Sequence, residues 1–351
     1  MKNFRCTACD QTIVFENTLC GNCGHQLGFL PDIFDMTTVE PENERWIALA
    51  ARDRGRYRFC KNWELQGCNW LTAPGEEFCL ACRHNRTIPD LSDARRHRMW
   101  QKTEQAKRRL FYSLLRLRLP LETRQEPLVF DFVARIAVAP KPVMGHDNGV
   151  ITITVEEGDD ATREEHRNAM GEPYRTLLGH FRHEIGHYYW DLLVRDGGQQ
   201  ESFRSLFGDE RTDYAAALKS YYERGVVEPS DGFISAYATS HPWEDFAETF
   251  AHYLHIVDTL ETARAMGVSL RPFKKAELAV AFDPYRTVDV RDLVETWLHL
   301  SFAVNNLNRS MGQPDLYPFV LSPKVARKIE FVIRLVQGNA RRLEGSAEAA
   351  E

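Results

Sequence analysis

The sequence predicts an α+β protein: a mainly helical domain with a small β-sheet, preceded by cysteine-rich modules. Three observations carry this. All eight cysteines fall between Cys6 and Cys82, and the rest of the 351 residues contain none. Two runs rich in β-branched and aromatic residues, Val129-Phe130-Asp131-Phe132-Val133 and Val150-Ile151-Thr152-Ile153-Thr154-Val155, read as strands of one sheet. Beyond them, apolar residues recur at helical spacing over 172–195, 209–224, 242–260, 291–304 and 323–343, separated by Gly197-Gly198, Pro229, Pro242, Pro284 and Pro323.

A chain of this length exceeds one ordinary core, so several units are expected. They are a zinc ribbon over 1–40, a second four-cysteine module over 41–91, a basic linker helix over 92–119, the principal domain over 120–343 and a disordered Ala/Glu-rich tail over 344–351. With 43% hydrophobic and 27% charged residues, the composition excludes a disordered or fibrous chain. No run approaches the ~20 apolar residues of a membrane span, so no membrane partner is expected. The start, Met1-Lys2-Asn3-Phe4-Arg5-Cys6, lacks the apolar stretch of a secretory signal, and a cytoplasmic location is expected. A net charge of −6 gives no reason for wholesale binding to a polyanion.

Cys6-x-x-Cys9 and Cys20-x-x-Cys23 form two knuckles around a segment in which Thr12-Ile13-Val14-Phe15 suits a strand. Four thiolates complete a tetrahedron and leave no open position, so a zinc ion there is structural. Cys60, Cys68, Cys79 and Cys82 supply a second set, with one wide spacing, and a second structural zinc is expected. Close pairing in a long chain without a secretory signal favours metal over disulfides.

Ser92 or Asp93 can cap the next helix, Leu110, Phe111, Leu114, Leu115 and Leu117 give it an apolar side, and Pro120 ends it. Over 92–118 it carries Arg95, Arg96, Arg98, Lys102, Lys107, Arg108, Arg109, Arg116 and Arg118 against Asp93 and Glu104. Together with the ribbons, such a helix suits contact with nucleic acid or an acidic protein partner; the plainer reading is a solvated helix packed on the following domain.

The helix expected from Glu172 carries an apolar stripe of Leu177, Leu178, Phe181, Ile185, Tyr188 and Leu192. Beside it runs a polar stripe of His180, His183, Glu184, His187 and Asp191, which suits a cleft wall. His183 and His187, at i and i+4, can offer two ring nitrogens to one metal without bending the helix. Glu184 then sits where a carboxylate can take a proton from water and return it to a leaving amine. A third ligand must come from elsewhere. The helix opened by Pro242 offers Glu244 and Glu248, with small residues Ala247 and Ala251 permitting close approach, and spacing does not choose between the two carboxylates. His241 is a weaker rival, because a residue before proline at a helix entry more often shapes the turn. Asp191 suits either a support for a metal histidine or a local helical salt bridge.

His183-Glu184-x-x-His187 followed by Glu244-x-x-Ala247-x-x-Phe250-Ala251 resembles the gluzincin peptidases, and Tyr237 to Phe250 resembles their lethal-factor branch. This resemblance implies a zincin-like fold, Glu244 as the third zinc ligand with Glu248 as runner-up, and Tyr237, seven residues before it, as the donor to the developing oxyanion. More widely, residues 6–340 resemble a bacterial family of zinc-binding metallopeptidases with an N-terminal zinc-ribbon region. The residues carrying this are the cysteine pattern, Gly145-His146-Asp147, His183 to Asp191, Phe207-Gly208-Asp209 and Ser240 to Glu248. The family is named from its motifs and does not supply a substrate; from the residues we expect one catalytic and two structural zinc ions and a peptide or protein substrate, whose extended chain pairs with a sheet edge near Val150–Val155. The alternative is a zinc-ribbon binding or regulatory protein whose peptidase-like domain does not cleave.

Overall fold

The computed structural model describes residues 1–51, 55–122, 127–134, 144–170, 175–225, 229–271, 278–287 and 289–348. The first knuckles are joined by two short antiparallel strands, β1 (Phe4–Arg5) and β2 (Thr12–Ile13), with Phe4 opposite Ile13. The strand stops at Ile13 because Val14 turns to solvent and its amide donates to Asn17 Oδ1 at 2.7 Å. Next comes an antiparallel meander of β3 (Gln26–Leu30), β4 (Asp35–Glu42), β5 (Arg45–Ala48), β6 (Arg56–Phe59) and β7 (Leu71–Thr72). A bridge from Phe29 to Trp70 draws its first and last strands together. The boundary expected at residue 40 falls inside β4, so the two cysteine modules share one sheet. From there β8 (Asn85–Thr87) leaves the cysteine-rich region and enters the sheet of the second half.

Helix α1 (Ala94–Arg116) begins where Asp93 Oδ1 accepts from the Arg96 amide at 2.7 Å. It is an interior strut. Trp100, Leu110, Phe111, Tyr112 and Leu114 are fully buried, with Tyr112 against Phe15 of the ribbon and Phe111 against Phe130 of the second sheet. Its charges are largely engaged within the fold. Arg95 and Lys102 meet Asp159 and Asp160, Arg96 meets Asp90, Arg109 meets Glu16, and Arg116 meets Glu261 and Asp283. Lys107 and Glu104 pair at 3.0 Å with neither side chain exposed.

The second sheet contains β9 (Val129–Val133), β10 (Gly145–Asp147) and β11 (Val150–Thr154), ordered β10-β11-β9-β8. β8, β9 and β11 run parallel, whereas β10 is antiparallel to β11. The expectation of a substrate edge at Val150–Val155 is therefore corrected: β11 is hydrogen-bonded on both sides, and among the described residues the edges of this sheet are β10, beside β11, and β8.

Helices follow: α2 (Asp160–Met170), α3 (Leu177–Trp190), α4 (Gln200–Phe207), α5 (Tyr214–Arg224), α6 (Pro242–Ala265), α7 (Val290–Ser310) and α8 (Pro323–Glu348). A short hairpin of β12 (Ser269–Leu270) and β13 (Leu278–Ala279) lies between α6 and α7. Thr176 caps α3, its Oγ1 accepting from the Gly179 amide at 2.9 Å, while the expected start at Glu172 lies outside the described residues. After Trp190 the helix widens into a π-turn over Asp191–Arg195. α4 was not expected, and α8 carries past Leu343 to Glu348, into the segment read as a disordered tail.

α3 packs on α6 at a distance only glycine permits. A Cβ on Gly186 would stand 2.9 Å from Ala247 Cα and 3.1 Å from its carbonyl oxygen. That closeness sets the histidines of α3 against the carboxylates of α6. One apolar core runs without a break from Phe4 to Val336, and the whole is a mixed α/β fold. Among the described residues no helix is long and apolar enough to cross a membrane.

Candidate metal centre

Three groups of metal-binding side chains converge. Cys6, Cys9, Cys20 and Cys23 form one, with Sγ separations of 3.6 Å for Cys6–Cys23 and Cys9–Cys20. Cys60, Cys68, Cys79 and Cys82 form the second, with Cys68 and Cys79 3.7 Å apart and every member buried. Bonds of ~2.3 Å to a central zinc give a tetrahedral edge of about 3.8 Å, so both groups fit. Burial raises the Cys6 thiol, but hydrogen bonds from Thr38 and the amides of Ala8 and Cys9 bring it down to about 6. Cys79 is pushed well up by burial and by its three sulfur neighbours. Lys107 and Arg108 of α1 stand beneath this second group: burial opposes their charges, while Glu104, Cys82 and Cys79 favour Lys107, and Cys68 and Cys82 favour Arg108.

The third group is His183, His187 and Glu244. His183 Nε2 lies 2.9 Å from Glu244 Oε2 and 3.2 Å from His187 Nε2, and His187 Nε2 lies 3.4 Å from Glu244 Oε2. For bonds of ~2.05 Å the tetrahedral edge is about 3.3 Å, so the triangle has the size that zinc requires. Among the described residues Glu244 Oε2 is buried without a hydrogen bond, which a carboxylate tolerates only beside positive charge. Burial raises Glu244, yet the facing His187 and His183 hold it well below the usual carboxylate range.

Glu248 lies on the other side of His183. Its Oε1 accepts from His183 Nδ1 at 2.8 Å, and its Oε2 accepts from Ser235 Oγ at 2.6 Å. That bond leaves Nε2 of His183 facing His187 and Glu244. Tyr214 OH donates to Glu244 Oε1 at 2.5 Å, anchoring the oxygen turned away from the histidines. Neither Tyr214 nor Ser235 carries a signal in spacing; each reaches the site through a loop or a separate helix. Trp243 covers His187 with ring centroids 4.0 Å apart.

Glu184 is buried beside the triangle, with Oε1 3.2 Å from His180 Nε2. Burial raises its pKa, but the His180 hydrogen bond and the charges of His183 and His187 bring it down to about 2. The Tyr237 ring stands 5.8 Å from His183 and 5.6 Å from Tyr221. Burial, with Glu244 and Tyr214 nearby, raises its phenol well above the ordinary value, so it keeps its proton. His241 is used otherwise. It caps α6, Nδ1 accepting from the Trp243 amide at 3.1 Å, and its Nε2 meets Thr212 O. Asp191 makes a local salt bridge with Arg195 at 2.9 Å, and His187 Nδ1 has no hydrogen-bond partner.

The comparisons with known proteins agree with this chemistry. Residues 96–335 match the family described as "putative zinc-binding metallo-peptidase", and residues 3–93 match a zinc-ribbon domain. The chain belongs to this zinc-binding metallopeptidase family and carries the zinc ribbon at its N-terminal end. Uncharacterized proteins of Mycobacterium tuberculosis (strain H37Rv) and Mycobacterium bovis are each 40% identical to it over 345 residues, covering 96% of this chain and 95% of theirs. No solved structure matches.

Proposed function

We propose that the chain is a zinc-dependent peptidase of zincin-like, gluzincin type, binding three zinc ions, one of them catalytic and held by His183, His187 and Glu244. The observation that carries this reading is the triangle of ligand atoms closed by a buried Glu244 oxygen without a hydrogen bond, with a second buried carboxylate, Glu184, alongside. A zinc ion at that point supplies Lewis acidity, acidifying water and polarising a peptide carbonyl.

Glu184 takes the proton from the attacking water and hands it to the amine that leaves, a role suited to a carboxylate ionised at neutral pH. Tyr237, protonated at neutral pH, donates to the oxygen on which charge develops. Glu248 and Tyr214 hold His183 and Glu244 in register, and Trp243 keeps water off His187. The substrate is an extended peptide whose backbone pairs with β10, the edge strand next to Glu184. Proline placed in turn at each position of a cleaved peptide should block cleavage where its missing N–H is needed.

The test is zinc analysis with a peptide-library cleavage assay. The expected result is three zinc ions per chain, two in Glu244→Ala, and three but no cleavage in Glu184→Gln. Three zinc ions in Glu244→Ala with two in Glu248→Ala would overturn the ligand assignment.

A further inference from the structure

His180, like Asp191, belongs to the polar stripe but has no part in the proposed reaction. It sits one turn before Glu184, and its Nε2 lies 3.2 Å from Glu184 Oε1. Its other ring nitrogen, Nδ1, is buried without a hydrogen-bond partner among the described residues, 3.9 Å from Glu157 Oε2. Glu157 is itself fixed. Its carboxylate is buried and meets Arg175 at 3.2 Å, and its carbonyl accepts from Arg163 at 2.6 Å. The turn that carries it, Val155–Gly158, is pressed onto α1 so closely that a Cβ on Gly158 would stand 2.5 Å from Met99 O. A rigid wall thus backs His180, and His180 backs Glu184.

The two oxygens of Glu184 have different surroundings. Oε1 is turned to His180, whereas Oε2 faces the edge strand, 3.8 Å from where a Cβ on Gly145 would lie. A buried glutamate has three rotatable bonds, and a base must hold its lone pair on the proton it takes to within a fraction of an ångström. We propose that His180, backed by Glu157, is the positioning residue of the base: it binds Oε1 through Nε2–H and so aims Oε2 at the reacting water. This rests on the peptidase reading above for what Glu184 does, but the contact itself is independent of that reading.

The test compares His180→Ala, His180→Gln and His180→Asn in the full chain loaded with zinc. The amide nitrogen of glutamine reaches the position of Nε2, and that of asparagine only the position of Nδ1. On whichever library peptide the parent cleaves, kcat should fall about 10- to 100-fold in His180→Ala and His180→Asn, with KM within twofold and zinc content unchanged. It should return to within about threefold in His180→Gln. Equal rescue by Asn and Gln, an unchanged kcat in His180→Ala, or loss of the third zinc with the activity would each overturn the proposal. A second readout needs no substrate. Nitrogen-15 spectra of the imidazoles should show His180 protonated at Nε2, with that resonance moved by Glu184→Gln. A His180 bare at Nε2, or one indifferent to Glu184→Gln, refutes the contact even if no peptide is cleaved. A parent chain that cleaves nothing while showing the Nε2 proton would instead sink the peptidase reading and leave this positioning contact standing.

Discussion

His183 is gripped on both ring nitrogens: Nδ1 donates to Glu248 Oε1 at 2.8 Å, and Nε2 lies 2.9 Å from Glu244 Oε2. The two glutamates, one helical turn apart on α6, take opposite sides of a single imidazole and so have different chemistry.

Glu248→Ala should therefore weaken the third zinc without abolishing it. We expect its dissociation constant to rise about 10- to 100-fold in competition with a chromogenic chelator, with Glu248→Gln between the two. An unchanged constant in Glu248→Ala would mean that the Nδ1 bond does not orient the ring.

Tyr237→Phe removes one hydroxyl and leaves the ring packed against Tyr221. Its kcat should drop by about 10²- to 10³-fold, with zinc content and KM nearly unchanged, as expected for a donor felt mainly in the transition state. A rise in KM at constant kcat would assign Tyr237 to substrate binding.

Gly186→Ala forces α3 and α6 apart, because its Cβ would meet backbone and not the end of a flexible side chain. We expect a loss of about 1–3 kcal/mol in urea unfolding. The third zinc should weaken while the two cysteine-bound zincs stay. Wild-type stability and zinc affinity would show that the helices yield at no cost.

Lys107→Met removes the cation paired with the buried Glu104 and leaves it the neutral bond from Asn85 Nδ2 at 2.6 Å. Removing one partner of a buried pair costs about 3–5 kcal/mol, whereas Lys107→Met with Glu104→Met should recover much of it. Denaturant midpoints at saturating zinc decide the matter, and a double variant no better than the single would contradict the pairing.

His252 is fully buried, its Nδ1 2.7 Å from Tyr317 OH, and burial lowers its pKa to about 4. An unfolded histidine titrates near 6.5, so between about pH 6.5 and 4 the unfolded chain binds the extra proton. The stability attached to a neutral His252 is present above that window and is lost as pH falls through it, by at most about 1.4 kcal/mol per pH unit. The advantage of the parent over His252→Asn should shrink on acidification from pH 6.5 to 5 in equilibrium unfolding. A constant difference would show that His252 titrates normally in the fold.

Local signals explain what could be read in advance. The runs at 129–133 and 150–154 are strands because their β-branched and aromatic residues are sustained over five positions, whereas Val155, expected in the second run, opens a turn. The i, i+4 histidines and the small residues on α6 carry their geometry within one helix each, and the Ala247 contact with Gly186 follows from them. The five-stranded sheet left no such trace. Its strands vary from two to eight residues, and Gly28 and Pro41 interrupt the pattern of the two longest. The same limit hid β10 as an edge, since a three-residue strand has no period to read. That Glu244 and Glu248 take opposite sides of His183 is a tertiary fact, which spacing along one helix does not carry. Nor could charge counting along α1 reveal that Lys107 and Arg108 are buried, Lys107 on Asn85 and Glu104 and Arg108 on the Gly67 carbonyl.

The placement of α1 and β8 has one more result, which concerns truncation. A chain begun at residue 120 would lack the strand beside β9 and the apolar helix side that Phe130 packs against, and its sheet and metal helix would face water where they now face protein. The cysteine-rich half and the helical half thus share one sheet and one apolar cluster, so the loss of either would bare a face that the other now covers.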